Sequence, residues 1–208
     1  MKRLLFAAFV LILAGYFIQI CEDKACLQND IIRLHVVAHS DHEDDQKHKL
    51  ALKDAVVQYL QSNAPLQNGI DYTKQYLKDN LNNIEKYAKD FLEACGCDDT
   101  VRVSLEKEHF PQRVYETFTL PSGMYHSLRV TIGDGEGRNW WCVVFPTLCV
   151  GKTRQEYRDL AVGAGFSEQL IDATVSEGSG EIRFFLLDCL GKLEKLFNFE
   201  KHCDKIVR

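Results

Sequence analysis

The sequence predicts an α+β domain: an antiparallel or mixed sheet of about four to five strands, packed by two long helices, behind an apolar N-terminal helix. Three observations point there. One strand-like run, at 31–38, precedes two helical patterns. Strand-like segments then follow one another over residues 101–145, without the β-α-β alternation of a doubly wound sheet. Residues 4–21 carry no charge and follow Lys2-Arg3.

The elements justify themselves in order. Leu4 to Cys21 forms a run of about 27 Å as a helix, near the thickness of a hydrocarbon core. A basic start, an apolar run, and then Glu22 and Asp23 describe residues 1–21 as a signal peptide or membrane anchor. The positive-inside rule puts residues 22–208, expected as a single domain, outside the cytoplasm. No clean small-residue cleavage site follows the run, so cleaved signal and retained anchor are both open. Ile31 to Ala38 is short and rich in branched residues, as in a strand buried on both faces. Ser40 and Glu43 have capping-box spacing for a helix to about Ser62, with Leu52, Val56, Tyr59 and Leu60 as its stripe. Ala64-Pro65 ends it. A second helix is expected from about Tyr72 to Ala94, capped by Asp71 and stopped by Gly96. Its apolar positions are Leu77, Leu81, Ile84, Ala88, Phe91 and Cys95. Strands are expected at 101–106, 114–120, 127–132 and 140–145, with a tight turn at Pro121-Ser122-Gly123. Residues 150–180 read as a loop insertion, within which 167–175 suits a short helix. Residues 182–199 read as a C-terminal helix.

The chain has 25 basic and 30 acidic residues, net −5. Without Lys2 and Arg3 the balance is 23 to 30, so the domain carries no basic excess of nucleic-acid-binding type. Eight cysteines in an exported chain permit disulfides, and no C-x-x-C motif occurs. Cys142 and Cys149 flank Pro146, which suits a disulfide across a turn, or a buried thiol, better than a nucleophile.

Three clusters invite chemistry. Gly133-Asp134-Gly135-Glu136-Gly137 is G-x-G-x-G between two strands, not a phosphate loop, and its carboxylates would repel an anion. Two carboxylates are too few for calcium. The loop reads better as a hairpin connector or a partner contact: Asp134, Glu136, Arg138 and Asn139 offer directional polar groups. Trp140 and Trp141 point to opposite faces of a strand, so one can be the apolar anchor. Ser40 and Asp41, before the first helix, are the alternative contact. His35, His39, His42 and His48 lack H-E-x-x-H spacing, so neither a metal nor another cofactor is expected. A Cys–His hydrolase built on Cys142 and His109 or His126 is the competing class. It needs those groups together in space.

Several segments carry a resemblance. They are Arg33-Leu34-His35-Val36-Val37-Ala38-His39-Ser40-Asp41, Asp45-Gln46, Tyr115, Leu120-Pro121-Ser122-Gly123-Met124-Tyr125 and Ile132-Gly133-Asp134-Gly135-Glu136-Gly137. The most specific is Asn139-Trp140-Trp141-Cys142-Val143-Val144-Phe145-Pro146-Thr147-Leu148-Cys149. Over roughly 31–149, and in the apolar C-terminal segment, the chain resembles the stage II sporulation protein R family of endospore-forming bacteria. The resemblance implies a non-enzymatic signalling protein, made in the forespore and exported into the space between forespore and mother-cell membranes. There it would activate a membrane-embedded aspartic protease that processes pro-sigma-E. If residues 4–20 are retained, they would hold it at the membrane. The alternative function is an exported Cys/His hydrolase acting on cell wall or peptide.

Overall fold

The structure is a computed structural model describing residues 2–66, 68–146, 153–175, 185–190 and 192. Helix α1 (Lys2–Asp30) leads into strand β1 (Ile32–Val37) and helices α2 (Glu43–Asn63), α3 (Ile70–Asp79) and α4 (Leu81–Ala94). Then come β2 (Val101–Phe110), the short β3 (Arg113–Val114) and β4 (Thr119–Leu120), β5 (Gly123–Ile132) and β6 (Asn139–Phe145). Helices α5 (Arg154–Gly163) and α6 (Glu168–Val175) follow, and residues 185–190 are helical. The fold is α+β around a mixed four-stranded sheet ordered β2-β5-β1-β6, with β3 and β4 as a separate hairpin. β1 runs parallel to β5 and antiparallel to β6, and β2 is antiparallel to β5.

Side-chain alternation gives the sheet two different faces. Ile32, Leu34 and Val36 of β1, with Leu128, Val130 and Ile132 of β5, pack on Leu52, Val56, Leu60, Leu77, Ile84, Ala88 and Leu92 of the three central helices. This face is apolar. The opposite face carries Arg33, His35, Ser127 and Arg129, and a second cluster forms beside them. Ile20 and Leu27 of α1 meet Phe110, Tyr125, Val143, Tyr157, Leu170, Ile171 and Leu187 there.

Several expectations need correction. The helix that carries the apolar N-terminal run does not stop where the run ends, at 21. α1 continues unbroken to Asp30, exposed at Leu4 to Ile18 and buried at Ile20, Asp23 and Leu27. Ser40 forms no capping box: α2 begins at Glu43 with His42 as N-cap, and the Ser40 hydroxyl donates to Asp45 at 2.5 Å. The second long helix is two helices, with Gly69 rather than Asp71 as the first N-cap. The break falls at Asn80, whose side-chain amide donates to Tyr76 O at 2.9 Å and competes with the helix ladder. Its buried stripe ends on Leu92, while Cys95 is exposed. Gly96 does stop α4, with φ 80° and Cys97 N–H returning to Leu92 O at 2.9 Å.

Residues 114–120 are not one strand but a hairpin closed by Tyr115 N–H donating to Phe118 O. Pro121-Ser122-Gly123 is not a free turn. Ser122 is buried, its N–H donates to the Asp188 carboxylate and its hydroxyl to Asp188 O, both at 2.9 Å. The loop expected at 150–180 contains the unexpected α5 as well as α6, which matches the short helix expected at 167–175. α5 is started by a capping box between Thr153 and Glu156. Of the helix expected at 182–199, residues 185–190 and 192 are helical and the remainder lies outside the described residues.

Candidate functional site

The glycine loop leaves the end of β5 and returns as β6, beside the segment that leaves β1. Because β1 is paired with both strands, residues 38–41 and 133–138 emerge side by side. They are stitched together. Gly137 N–H donates to Ala38 O at 3.0 Å, and Glu136 N–H to His39 O at 3.1 Å. Asp134 N–H donates to His39 Nδ1 at 3.1 Å. Arg138 N–H donates to Asp41 Oδ1 at 2.8 Å, and the Arg138 guanidinium lies 3.4 Å from the same oxygen. Below, the buried Lys49 ammonium donates to Arg138 O at 3.0 Å and to Gln46 Oε1 at 2.6 Å. Gln46 donates to Ser40 O at 2.8 Å. Burial, and then Arg138, push the Lys49 ammonium below its ordinary value.

The two candidate contact groups are therefore one surface. Asp41, Asp134, Glu136 and Arg138 are exposed on it. Ser40 is half-buried: its hydroxyl accepts His42 N–H at 3.1 Å, as well as donating to Asp45. Of the two tryptophans, Trp140 is the outer one, 37% exposed, with Lys53 Nζ 4.7 Å from its ring centroid. Trp141 turns inward. Its ring stacks on His35 at 3.9 Å and meets Phe110 edge-on at 4.7 Å. Asn139 also turns part of itself inward, accepting a hydrogen bond from His35.

Beneath this surface is a buried polar layer that sequence reading missed. His35 Nδ1 lies 2.9 Å from Glu108 Oε2, and His35 Nε2 lies 2.7 Å from Asn139 Oδ1. Arg129 donates to Glu108 Oε1 at 2.7 Å. Burial alone would push the Glu108 carboxyl up. Hydrogen bonds from His35 and Arg129 outweigh it and hold the group at about 2. Arg33 is fully buried. It donates to Tyr115 Oη at 2.8 Å and lies 4.1 Å over the Phe110 ring, while its Nε and Nη1 have no hydrogen-bond partner among the described residues. The available signal was a charged residue and a histidine within a strand buried on both faces, a pattern that demands a polar layer on one of them.

The matching pattern of known proteins covers this assembly. The family model for stage II sporulation protein R matches residues 28–155, from the last turn of α1 to the first of α5. The chain belongs to that family. It is 27% identical over 185 residues to stage II sporulation protein R of Bacillus subtilis (strain 168), covering 80% of this chain and 83% of that protein. No solved structure matches. The stage II sporulation protein R segments quoted above converge in space. Arg33 bonds Tyr115, His35 stacks on Trp141, and Ala38 to Asp41 hold Glu136 to Arg138.

The Cys–His arrangement that a hydrolase needs is not formed among the described residues. Cys142 packs on the apolar face with Leu34, whereas His35 is on the other face. His126 is two strands from Cys142 and two residues out of register, about 12 Å by strand geometry, and His109, on β2, is three strands away. The four clustered histidines also diverge: His35 is internal, His39 serves the loop, His42 is the N-cap residue of α2 and His48 is half-buried within α2. No group of three or more His, Cys, Asp or Glu residues able to hold a metal exists among the described residues. Cys21, Cys26, Cys95, Cys97 and Cys189 are free thiols. Cys142 is not one of them, and Cys149 lies outside the described residues.

Proposed function

We propose that this sporulation protein is an exported signal that works by contact, activating a membrane-embedded aspartic protease that processes pro-sigma-E. The observation that carries the reading is the clamped surface at 38–41 and 133–138. Its backbone is immobilised by hydrogen bonds to neighbouring backbone and to Lys49, while Asp41, Asp134, Glu136, Arg138 and Trp140 face outward. Pre-ordered polar groups around an aromatic anchor suit recognition, because little conformational freedom is lost on binding. The exposed apolar part of α1 supports action at a membrane surface outside the cytoplasm. Cys142 pairs with Cys149 in that compartment in this reading.

The test is reconstitution of the full chain with the protease and its precursor in membranes, scoring precursor cleavage. Asp134→Ala with Glu136→Ala is expected to abolish activation while stability stays within about 0.5 kcal/mol of wild type. A folded double variant with wild-type concentration dependence would remove this surface from the mechanism. Precursor cleavage by the chain without the protease would overturn the contact reading altogether.

A further inference from the structure

A second surface lies at the opposite edge of the sheet. β2 is the outer strand, paired only with β5 among the described residues. Val103 N–H turns away from β5 and donates to Glu85 Oε2 of α4 at 2.9 Å. Thr100 O turns toward β5, accepting Gly133 N–H at 2.7 Å. The β2–β5 register runs from Val101 to Phe110 without a bulge. The backbone groups of Leu105 and Lys107 therefore face outward, as those of Val103 do. Glu85 covers the edge at Val103, which is how natural sheets protect an edge. Among the described residues, no backbone partner occupies the edge at 105 and 107.

A groove of about 500 Å³ flanks that open stretch. Leu105, Glu106, Lys107 and His126 form its sheet side. Asp71, Lys74, Gln75 and Lys78 form the other wall, at the spacing of one face of α3. By alternation Lys107 points to the α3 side and Glu106 to the other side. The three lysines outnumber the two carboxylates beside them, Asp71 and Asp30. The His126 imidazole registers this: burial first, then Lys74 and Lys107, push it down to about 4. Burial also lowers Lys74, whose ammonium donates to Asn29 O at 2.7 Å.

We infer that this edge docks an extended acidic segment of a partner protein, added as a further strand beside β2, with acidic side chains at alternate positions facing Lys74, Lys78 and Lys107. Backbone pairing supplies the register and the lysines supply the selectivity. The surface is independent of the glycine loop, which lies at the far end of β5, about 20 Å away by strand rise.

The experiment uses the full chain in detergent micelles and a fluorescent acetyl-Val-Glu-Val-Glu-Val-Glu-amide probe, read by anisotropy. The same peptide with Lys for Glu is the control. The acidic probe is expected to bind, and Lys78→Glu with Lys107→Glu to weaken it at least about tenfold. Lys107→Ala removes a charge but keeps the outward N–H, whereas Lys107→Pro removes both, so Pro is expected to cost at least a further tenfold or so. Proton exchange at the Leu105 and Lys107 amides of the wild type should slow when the probe is bound, a reading that does not depend on the proline variant folding. Equal binding of acidic and basic probes, or unchanged exchange at those amides, overturns the proposal. Neither result would touch the loop surface, which is scored by protease activation.

Discussion

Gly137→Ala is the sharpest perturbation of the clamped surface. A Cβ at Gly137 would stand 2.2 Å from Ser40 O, 2.7 Å from Ser40 C and 2.9 Å from Ala38 Cβ. These obstacles are backbone or fixed to it, so no rotamer change relieves them. The 38–40 segment must move away by about an ångström or more to restore contact distance. That motion stretches the hydrogen bonds from Gly137 N–H to Ala38 O and from Glu136 N–H to His39 O. Overpacking of this kind costs about 1–3 kcal/mol, and each strained hydrogen bond up to about 1 more. The expected loss is about 3 kcal/mol, together with protease activation. The assay is urea unfolding of the full chain in detergent, followed by the fluorescence of Trp140 and Trp141. Gly163→Ala is the control. It lies in α5, and a Cβ there would meet nothing within 4 Å among the described residues, so alanine is expected to be neutral or to stabilise by up to about 1 kcal/mol. A Gly137→Ala protein within about 0.5 kcal/mol of wild type would refute the clamp, since surface changes ordinarily fall in that range.

Three further outcomes are expected. Glu108 is held at about 2 against an ordinary 4.5, so its hydrogen bonds and ion pairs stabilise the fold above pH 4.5, and that contribution is lost as pH falls toward 2. The stability gap between wild type and Glu108→Gln should therefore shrink over that window; a gap constant from pH 7 to about 2.5 contradicts the assignment. Trp141→Ala should cost about 3–5 kcal/mol because the ring is packed between His35 and Phe110, while Trp140→Ala should leave thermal stability nearly unchanged and impair activation. Non-reducing peptide mapping of exported protein should recover a Cys142–Cys149 cross-link worth about 2–3 kcal/mol, and recovery of both as alkylated thiols removes it.

The α+β class, β1, β6 and the α4 stop at Gly96 were legible because each rests on a local signal: a branched run, a twin tryptophan strand, a glycine in positive φ. What was not legible depended on partners distant in the chain. Pro121-Ser122-Gly123 has turn composition, yet Asp188 takes both the N–H and the hydroxyl of Ser122. Ser40 has capping-box spacing, but its hydroxyl prefers Asp45, and the helix starts three residues later. Thr153 to Glu156 was a readable capping box hidden in a polar stretch. At the site, the charged loop and its alternative at Ser40 and Asp41 were visible as composition. That they are one surface follows only from β1 lying between β5 and β6. Glu108 was invisible for the same reason: it is 73 residues from His35 and meets it only across β5.

The two faces of the sheet divide the labour. The apolar face, against α2, α3 and α4, needs only volume and shape, and tolerates changes that keep both. The polar face sets positions. Glu108 of β2 holds Arg129 of β5 and His35 of β1, and His35 holds Asn139 at the first residue of β6. One chain of hydrogen bonds, charge-assisted at the Glu108 carboxylate, thus crosses all four strands and ends where the glycine loop rejoins the sheet. Trp140 is the next residue. Its outward direction is set by the alternation that turns Trp141 inward onto His35, so the buried layer aims the exposed anchor. A polar core is costlier to build than an apolar one, but its directional bonds fix register where apolar contacts would allow slippage. In the contact reading proposed above, the geometry of that surface would be the function. The buried Glu108–His35–Asn139 chain is the part of the fold that determines it.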